Sequence, residues 1–473
     1  MNGGGAESRK ALTLGLVLGV SVMAIATLAV VTIAPLIAAE LGGLEHYGWL
    51  FSANLLASLI GTVWGGAQAD RHGPGRAFLL GLGAFVLGSA LAALATTMAV
   101  VIAARALQGL GSGAVITCIY VAVSLAYPDR ARARIMAFLS SAWVLPALLG
   151  PAAAGMLAEL ASWRWVFAAL VPLASLVAVL SVPSFLSFRK PPTARTADHG
   201  PLLRAALLAL AVGSGLWSLG ATSAPVWARA LALALAFGVA PPTLARLMPP
   251  RTLRLAPGLA SVVSARGLLF AGFITVEVYL ALMLTGLLGL SSAVTGLVIA
   301  TGALVWTLGS WAQARLDGAP EEGLPALLRP LCRQRELRVR LGVQVLATGL
   351  ALQLLALALP TGAALAVALA GWSAAGVGIG FAHSGSSVLA FERAELEGVE
   401  PGAVSAALQL ADGVSAATST GVAGALLALV VGQTGLALGL AAAYGVGVVA
   451  VGLSLLAAAR IGPRPARSSP AVA

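Results

Sequence analysis

The chain of 473 residues is 59% hydrophobic and only 10% charged, with a formal net charge of +11. Soluble proteins carry about 25% charged residues, so this composition, with a mean hydropathy of +0.96, excludes an ordinary soluble multidomain protein and places most of the chain in lipid. The positive charge does not mark a nucleic-acid binder, because the basic residues form no patch and alternate from loop to loop instead.

A membrane-spanning helix needs about 20 mostly apolar residues. Runs of that kind fall at 11–39, 47–69, 76–97, 98–127, 135–160 and 165–187. A polar linker at 189–199 follows, then two apolar runs at 202–222 and 225–245. Six more come at 260–285, 290–315, 341–359, 361–390, 403–432 and 434–459. Six, two and six predict an all-α integral membrane protein of about 14 spans, in which two pseudo-symmetric six-helix bundles flank two additional central transmembrane helices. The implied division is an N-terminal bundle with its linker (1–200), two extra helices (201–256) and a C-terminal bundle with a short tail (257–473). The first run is too long for a signal-peptide core and no small-residue cleavage site follows it, so it reads as the first span.

Basic residues set the orientation. Arg9 and Lys10, Arg71 and Arg76, then Arg130, Arg132 and Arg134 fall on one side of the span map. Arg189, Lys190 and Arg195, then Arg246, Arg251 and Arg254 follow on the same side. So do Arg315, Arg329, Arg333, Arg335, Arg338 and Arg340, then Arg393, Arg460, Arg464 and Arg467. The opposite loops hold little beyond Arg164 and Arg229. By the positive-inside rule both termini are cytoplasmic and the spans even in number, as expected of a multi-pass protein of the plasma (inner) membrane. The stretch 317–340, with Glu321, Glu322 and its arginine run, is expected to form a surface helix against anionic headgroups. Cys118 and Cys332 lie on opposite sides of this map, which argues against a disulfide. Glycine, with 56 residues, saturates the spans, as in Gly109–Gly113 and Gly376–Gly380. Small residues let helices approach closely in lipid.

An internal repeat supports the two bundles. Ala67-Gln-Ala-Asp70-Arg71-His-Gly73 lines up with Ala312-Gln-Ala-Arg315-Leu-Asp317-Gly318, each at the basic end of the second span of its group. Parallel repeats are how many transporters build two rocking halves around a site near the midplane.

The loop Gly66-x-x-x-Asp70-Arg71-x-Gly73, followed by Arg76, resembles the signature between the second and third spans of the major facilitator superfamily. The resemblance implies that Gly66, Asp70, Arg71, Gly73 and Arg76 form a cytoplasmic latch between the halves. Pro74 and Gly75 stand where the family usually has two basic residues. Arg105-Ala-Leu-Gln108-Gly109-x-Gly-x-Gly113 is similar to the family's buried-arginine motif; the alternative is a cation snorkelling to the outer interface. Pro146-x-x-x-Gly150-Pro151-x-x-x-Gly155 resembles the antiporter motif of the family's exporters, with Pro146 and Ala154 in place of expected glycines. Trp163-Arg164-Trp165-Val166-Phe167 resembles the entry to the sixth span. Together these motifs imply the fourteen-span drug:proton antiporter-like branch: a monomer in the lipid bilayer that exports hydrophobic or amphipathic small molecules in exchange for protons, by alternating access and without a cofactor.

A proton-driven exporter needs a group within the pathway that changes charge at accessible pH, and a partly buried carboxylate qualifies. The acidic residue that many relatives carry in the first span is missing from Ala24–Pro35. Glu277 and Asp412 remain. Glu277 lies about 16 Å beyond Arg266 along a helix, near the midplane if Arg266 marks the cytoplasmic edge. Asp412 lies nearer the cytoplasmic end. Glu277 is expected to be the main proton-coupling group, with Asp412 and Arg105 assisting; each carboxyl also admits a structural reading. His383, near a helix end, is either a titrating group or a packing residue. Asn54, Gln108 and Gln409 are candidates to line the pathway, and Trp372, Tyr279 and Phe273 to stack on cargo or simply pack. Two other functions stay open: a facilitator or importer of a small metabolite, and a lipid-handling transporter or scaffold. Enzymatic chemistry finds no support, since there is no phosphate-binding loop of the Walker type and the four histidines are scattered without ligand spacing.

Overall fold

The computed structural model describes residues 3–127, 135–136, 138–139, 141–188, 200–317 and 329–462. Among these residues the chain is helical, with no strand. The first group comprises α1 (Gly3–Leu41), α2 (Trp49–His72), α3 (Pro74–Ala93), α4 (Met98–Ala126), α5 (Val144–Leu160) and α6 (Trp163–Ser187). The pair α7 (Gly200–Gly220) and α8 (Val226–Leu247) follows. The last group comprises α9 (Leu259–Leu282), extended by a π turn (Met283–Leu287), α10 (Ser292–Asp317), α11 (Arg335–Ala356), α12 (Thr361–Glu397), α13 (Pro401–Thr434) and α14 (Leu436–Ala459). Thirteen helices are long and apolar enough to cross a membrane; α5 is an apolar helix of 17 residues.

The shortness of α5 corrects the single span expected at 135–160. Helical residues occur at 135–136, 138–139 and 141, but a turn at 142–143 interrupts them. Proline lacks an N–H and its ring collides with the carbonyl four residues earlier, which for Pro146 is that of Ala142. The freed Ala142 carbonyl accepts instead from the Ser21 hydroxyl of α1, at 3.0 Å.

The two groups repeat one packing scheme. In the first, α2 packs on α4, α3 on α4 and α6, and α1 on α5 and α6; in the second, α10 packs on α12, α11 on α12 and α14, and α9 on α13 and α14. Within the α2–α4 seam the backbones almost touch. A Cβ at Gly61 would fall 2.1 Å from the Leu110 carbonyl oxygen, and one at Gly109 2.2 Å from that of Asn54. Only glycine permits that approach, and dispersion across it is what holds helices together where lipid competes equally for apolar surface.

Burial is greatest at α9, where 83% of the most apolar stretch is covered by protein, and least at α8, where only 6% is. The two extra helices, central in sequence, are peripheral in space. Leu208, Val212 and Leu216 of α7 pack against Leu56 of α2 and against Leu410, Val414 and Ala417 of α13. Thus α7 covers the seam between the two groups, and α8 lies outside it, held to α7 by the Ser218 hydroxyl on the Arg229 carbonyl and the Arg229 guanidinium on the Ser218 carbonyl.

The arginine run after α10 also departs from expectation. Residues 318–328, with Glu321 and Glu322, lie outside the described residues, as do Arg130, Arg132, Arg134, Arg189, Lys190, Arg195, Arg464 and Arg467. Arg329–Arg333 forms one short helical turn. Arg335, Arg338 and Arg340, however, belong to α11 and turn into the protein. Asp317 pairs with both Arg335 (2.8 Å) and Arg338, and Arg335 also pairs with Glu392 of α12. Arg340 donates to the carbonyls of Ala458, Ala459 and Ile461, capping the end of α14. An acid at the end of α10 captures cations that would otherwise face headgroups. Replacing Gly109 with valine should force α2 off α4 and cost about 1–3 kcal/mol, read as a lower thermal midpoint in detergent; Gly83→Val, at a position with open space around it, should leave the midpoint within about 2 °C.

Candidate functional site

The candidate site follows one stripe of α9. Arg266, Phe270, Phe273 and Glu277 are spaced by four, three and four residues, so a helix of 3.6 residues per turn sets them on one face.

At the basic-loop end of this stripe, Arg266 donates through Nη2 to Asp412 Oδ2 of α13 at 2.8 Å and through Nε to both carboxylate oxygens at 3.1 and 3.2 Å. Its Nη1 donates to the His383 carbonyl at 3.2 Å and to the Ser387 hydroxyl, both on α12. The His383 ring completes the cluster, with Nε2 at 3.2 Å from Asp412 Oδ2. The side chains of Arg266 and Asp412 are 11% and 16% exposed. Mutual pairing and hydrogen bonding offset the cost of burying the two groups.

Aromatic rings fill the middle of the stripe. Phe270 lies 5.5 Å from the His383 ring, and Trp306 of α10 stands edge-on to it at the same distance. Phe273 stacks on Trp372 of α12 at 4.8 Å and meets Trp306 edge-on at 5.1 Å. The Trp372 indole donates to the Ile299 carbonyl at 3.2 Å. Its ring lies against Gly302, where a Cβ would fall 2.3 Å from it.

Glu277 ends the stripe. It is buried, 9% exposed, eighteen residues along α9, or about 27 Å from the start of that helix. Among the described residues no cation or hydrogen-bond donor is held against its carboxyl. That sets it apart from Asp412, which is fully partnered.

Beyond Glu277 the two groups of helices meet, at the end opposite the basic loops. Tyr47 donates to the Val278 carbonyl at 3.1 Å, and Ser52 to the Ala417 carbonyl at 2.8 Å. Glu159 accepts from the Ala293 N–H at 2.8 Å. A Cβ at Gly155 would fall 2.2 Å from the Ser292 carbonyl oxygen, and one at Gly296 2.2 Å from that of Pro151.

This architecture of two equivalent six-helix groups agrees with comparison to known proteins. The sequence profile of the Major Facilitator Superfamily matches residues 15–420. The chain belongs to the Major Facilitator Superfamily. Multidrug resistance protein 3 of Bacillus subtilis is similar to it, 32% identical over 169 residues that make up 36% of this chain and 33% of that protein. A probable multidrug-efflux transporter of Mycobacterium tuberculosis is 30% identical over 162 residues, 34% of each chain. The chain therefore matches about a third of the length of these curated relatives. A bacterial homolog of the human lysosomal transporter Spinster shares the fold, with a TM-score of 0.60 at 13% identity over 96% of this chain and 98% of that one. This member of the superfamily is a multi-pass membrane protein.

The superfamily motifs occupy three distinct settings. Gly66, Asp70, Arg71, Gly73 and Arg76 lie at the basic end, where Asp70 and Arg76 are exposed and none of the three charged residues forms an ion pair among the described residues. Gly73 takes φ 81°, a left-handed value that suits glycine, at the junction of α2 and α3. Pro146 frees the Ala142 carbonyl, Pro151 and Gly155 meet α10, and Gly150 has open space around it.

Arg105 is 2% exposed and does not snorkel. It donates through Nε to the Leu50 carbonyl at 3.0 Å and through Nη1 to Gln108 at 2.7 Å. Gln108 donates onward to Ser89 at 2.9 Å, and Asn54 donates to the Arg105 carbonyl at 3.1 Å. Asn54 and Gln108, expected to line a pathway, are thus consumed in tying α2, α3 and α4 together. Gln409 is exposed. His383, expected near a helix end, is fourteen residues inside one, because α12 runs on to Glu397.

Sequence reasoning missed the partnership of Arg266, the rings of Phe270 and Trp306, and the contacts of Tyr47 and Ser52. The four-three-four spacing was available as a signal for Phe270 alone, since it sets that ring on the face of Arg266 and Glu277. Removing Arg266 would leave Asp412 as a largely buried unpaired charge, so Arg266→Met should lower stability by about 3–5 kcal/mol. The double variant Arg266→Met/Asp412→Leu should regain most of that loss, checked by thermal unfolding in detergent across the double-mutant cycle.

Proposed function

We propose that the protein is a secondary active exporter, which moves hydrophobic or amphipathic small molecules out of the cell in exchange for protons by alternating access. The observation that carries this reading is Glu277, a buried carboxyl with no counter-charge among the described residues, set on the most buried helix and one residue from a bond that joins the halves. Because no cation is fixed against it, its charge can follow the compartment that the pathway faces. Asp412 and His383, bound to Arg266, assist by keeping the basic end of the stripe neutral overall. Arg105 is assigned the role of a structural tie within the first six helices.

The basic loops are taken as cytoplasmic under the positive-inside rule. In that orientation the halves are bonded at the outer end, and the latch at Asp70 and Arg71 is undone, as suits a state open to the cytoplasm. Relatives named for multidrug resistance and efflux support export. The aromatic and aliphatic character of the stripe supports an apolar cargo, since ligand sites of this kind hold few polar groups. Each proton moving inward supplies about 2.3 kcal/mol per 100 mV of membrane potential.

Dye transport in proteoliposomes under an imposed proton gradient tests the proposal. Wild type should accumulate a lipophilic dye uphill, and Glu277→Gln should lose at least about tenfold of that rate, equivalent to about 1.4 kcal/mol, while still exchanging dye downhill. Uphill accumulation by Glu277→Gln at the wild-type rate would overturn the assignment of the coupling group.

A further inference from the structure

The loop between α1 and α2 does more than connect them. Gly42 and Gly43 take positive φ values of 69° and 82°, a conformation that suits glycine, and turn the chain back on itself. The short 3-10 turn Leu44–His46 follows, closed by bonds from His46 to Gly43 and from Tyr47 to Leu44 at 2.8 and 3.1 Å. This turn leaves Glu45 and His46 exposed and drives Tyr47 to full burial. A seven-residue loop that buries a tyrosine completely has been shaped to insert it.

The inserted ring enters the other half of the protein. It lies 5.4 Å from Tyr279 of α9 and 5.8 Å from Phe51, and its hydroxyl donates to the Val278 carbonyl at 3.1 Å. The next residue, Gly48, lies directly on α13: a Cβ there would fall 2.8 Å from the Thr420 carbonyl oxygen and 3.2 Å from Gly424 Cα. Tyr279 braces the receiving surface by donating to the same Thr420 carbonyl at 2.7 Å. One turn deeper, Ser52 joins the Ala417 carbonyl and lies 3.0 Å from the Thr420 hydroxyl. Every one of these contacts is neutral.

We infer that Tyr47 is the gate residue of the outer face, a hydrogen-bonded plug that the first half inserts between α9 and α13 of the second. The inference rests on the alternating-access reading above. Opening this gate separates no charges, so its cost is that of one or two neutral hydrogen bonds and the burial of one ring. The plug also seats on the turn of α9 that follows Glu277, which makes Val278 the point where the coupling carboxyl and the seal share backbone.

The test uses the full chain in proteoliposomes with Cys118→Ser, Cys332→Ser and Thr420→Cys, the new thiol lying beside Ser52, one turn behind the plug. A membrane-impermeant maleimide is applied to the face opposite the basic loops, without gradient or cargo. Labelling should be slow with Tyr47 present and roughly three- to tenfold faster in Tyr47→Phe, the change expected for one neutral hydrogen bond. Ser454→Ala is the control, because that buried hydroxyl donates to the Ala265 carbonyl within the second half and its loss should leave the rate unchanged. Labelling of Tyr47→Phe at the wild-type rate would overturn the inference, and so would equal acceleration by Ser454→Ala, which would mean general loosening. The readout needs no proton coupling, so the gate can fail while Glu277 stands, or stand while Glu277 fails.

Discussion

Close approach of backbone to backbone is the condition on which this structure depends. In lipid, apolar side chains gain little by leaving their surroundings, and helices stay together through packing and hydrogen bonds instead. At Gly61, Gly109 and Gly113 of the α2–α4 seam the carbonyls of the facing helix occupy the space of the missing side chains. The same device reappears where the halves meet, at Gly48, Gly155 and Gly296. Glycine contacts of this kind have no directional lock, so the seams inside a half and the seam between halves are built from one material. What distinguishes them is the polar bonding laid over each.

Within the first half that bonding is permanent in kind: Arg105 is sunk among Leu50, Gln108 and Ser89 and has nowhere else to go. Within the second half, Arg266 and Asp412 do similar work between α9, α12 and α13. The two repeats of the latch loop have diverged. Asp317 is locked to Arg335 and Arg338 inside its own half, whereas Asp70 is exposed and unpaired among the described residues. One copy has become a fixed joint and the other remains available to a partner across the seam.

The spans were readable because bilayer thickness demands apolar runs of a set length, and the loops because their arginines alternate. Glu277 was readable as an acid in apolar sequence. The break before α5 was not, although Pro146 was visible, since its effect falls on Ala142 and on a hydroxyl from α1. The depth of His383 was misjudged because Ser384, Ser386, Ser387, Glu392 and Arg393 resemble a loop, yet they lie on a helix whose polar groups find partners inside the protein. Pairings such as Arg266 with Asp412, 146 residues apart, or Tyr47 with Val278, 231 apart, leave no local spacing to read.

The position of α7 has a mechanical consequence. It lies across the α2–α13 seam and touches both sides, with Leu216 pressed where a Cβ on Gly421 would stand. A rotation of one half against the other would shear α7 along one of its neighbours. That flank would then carry the strain of the movement, as the hinged edge of a door does.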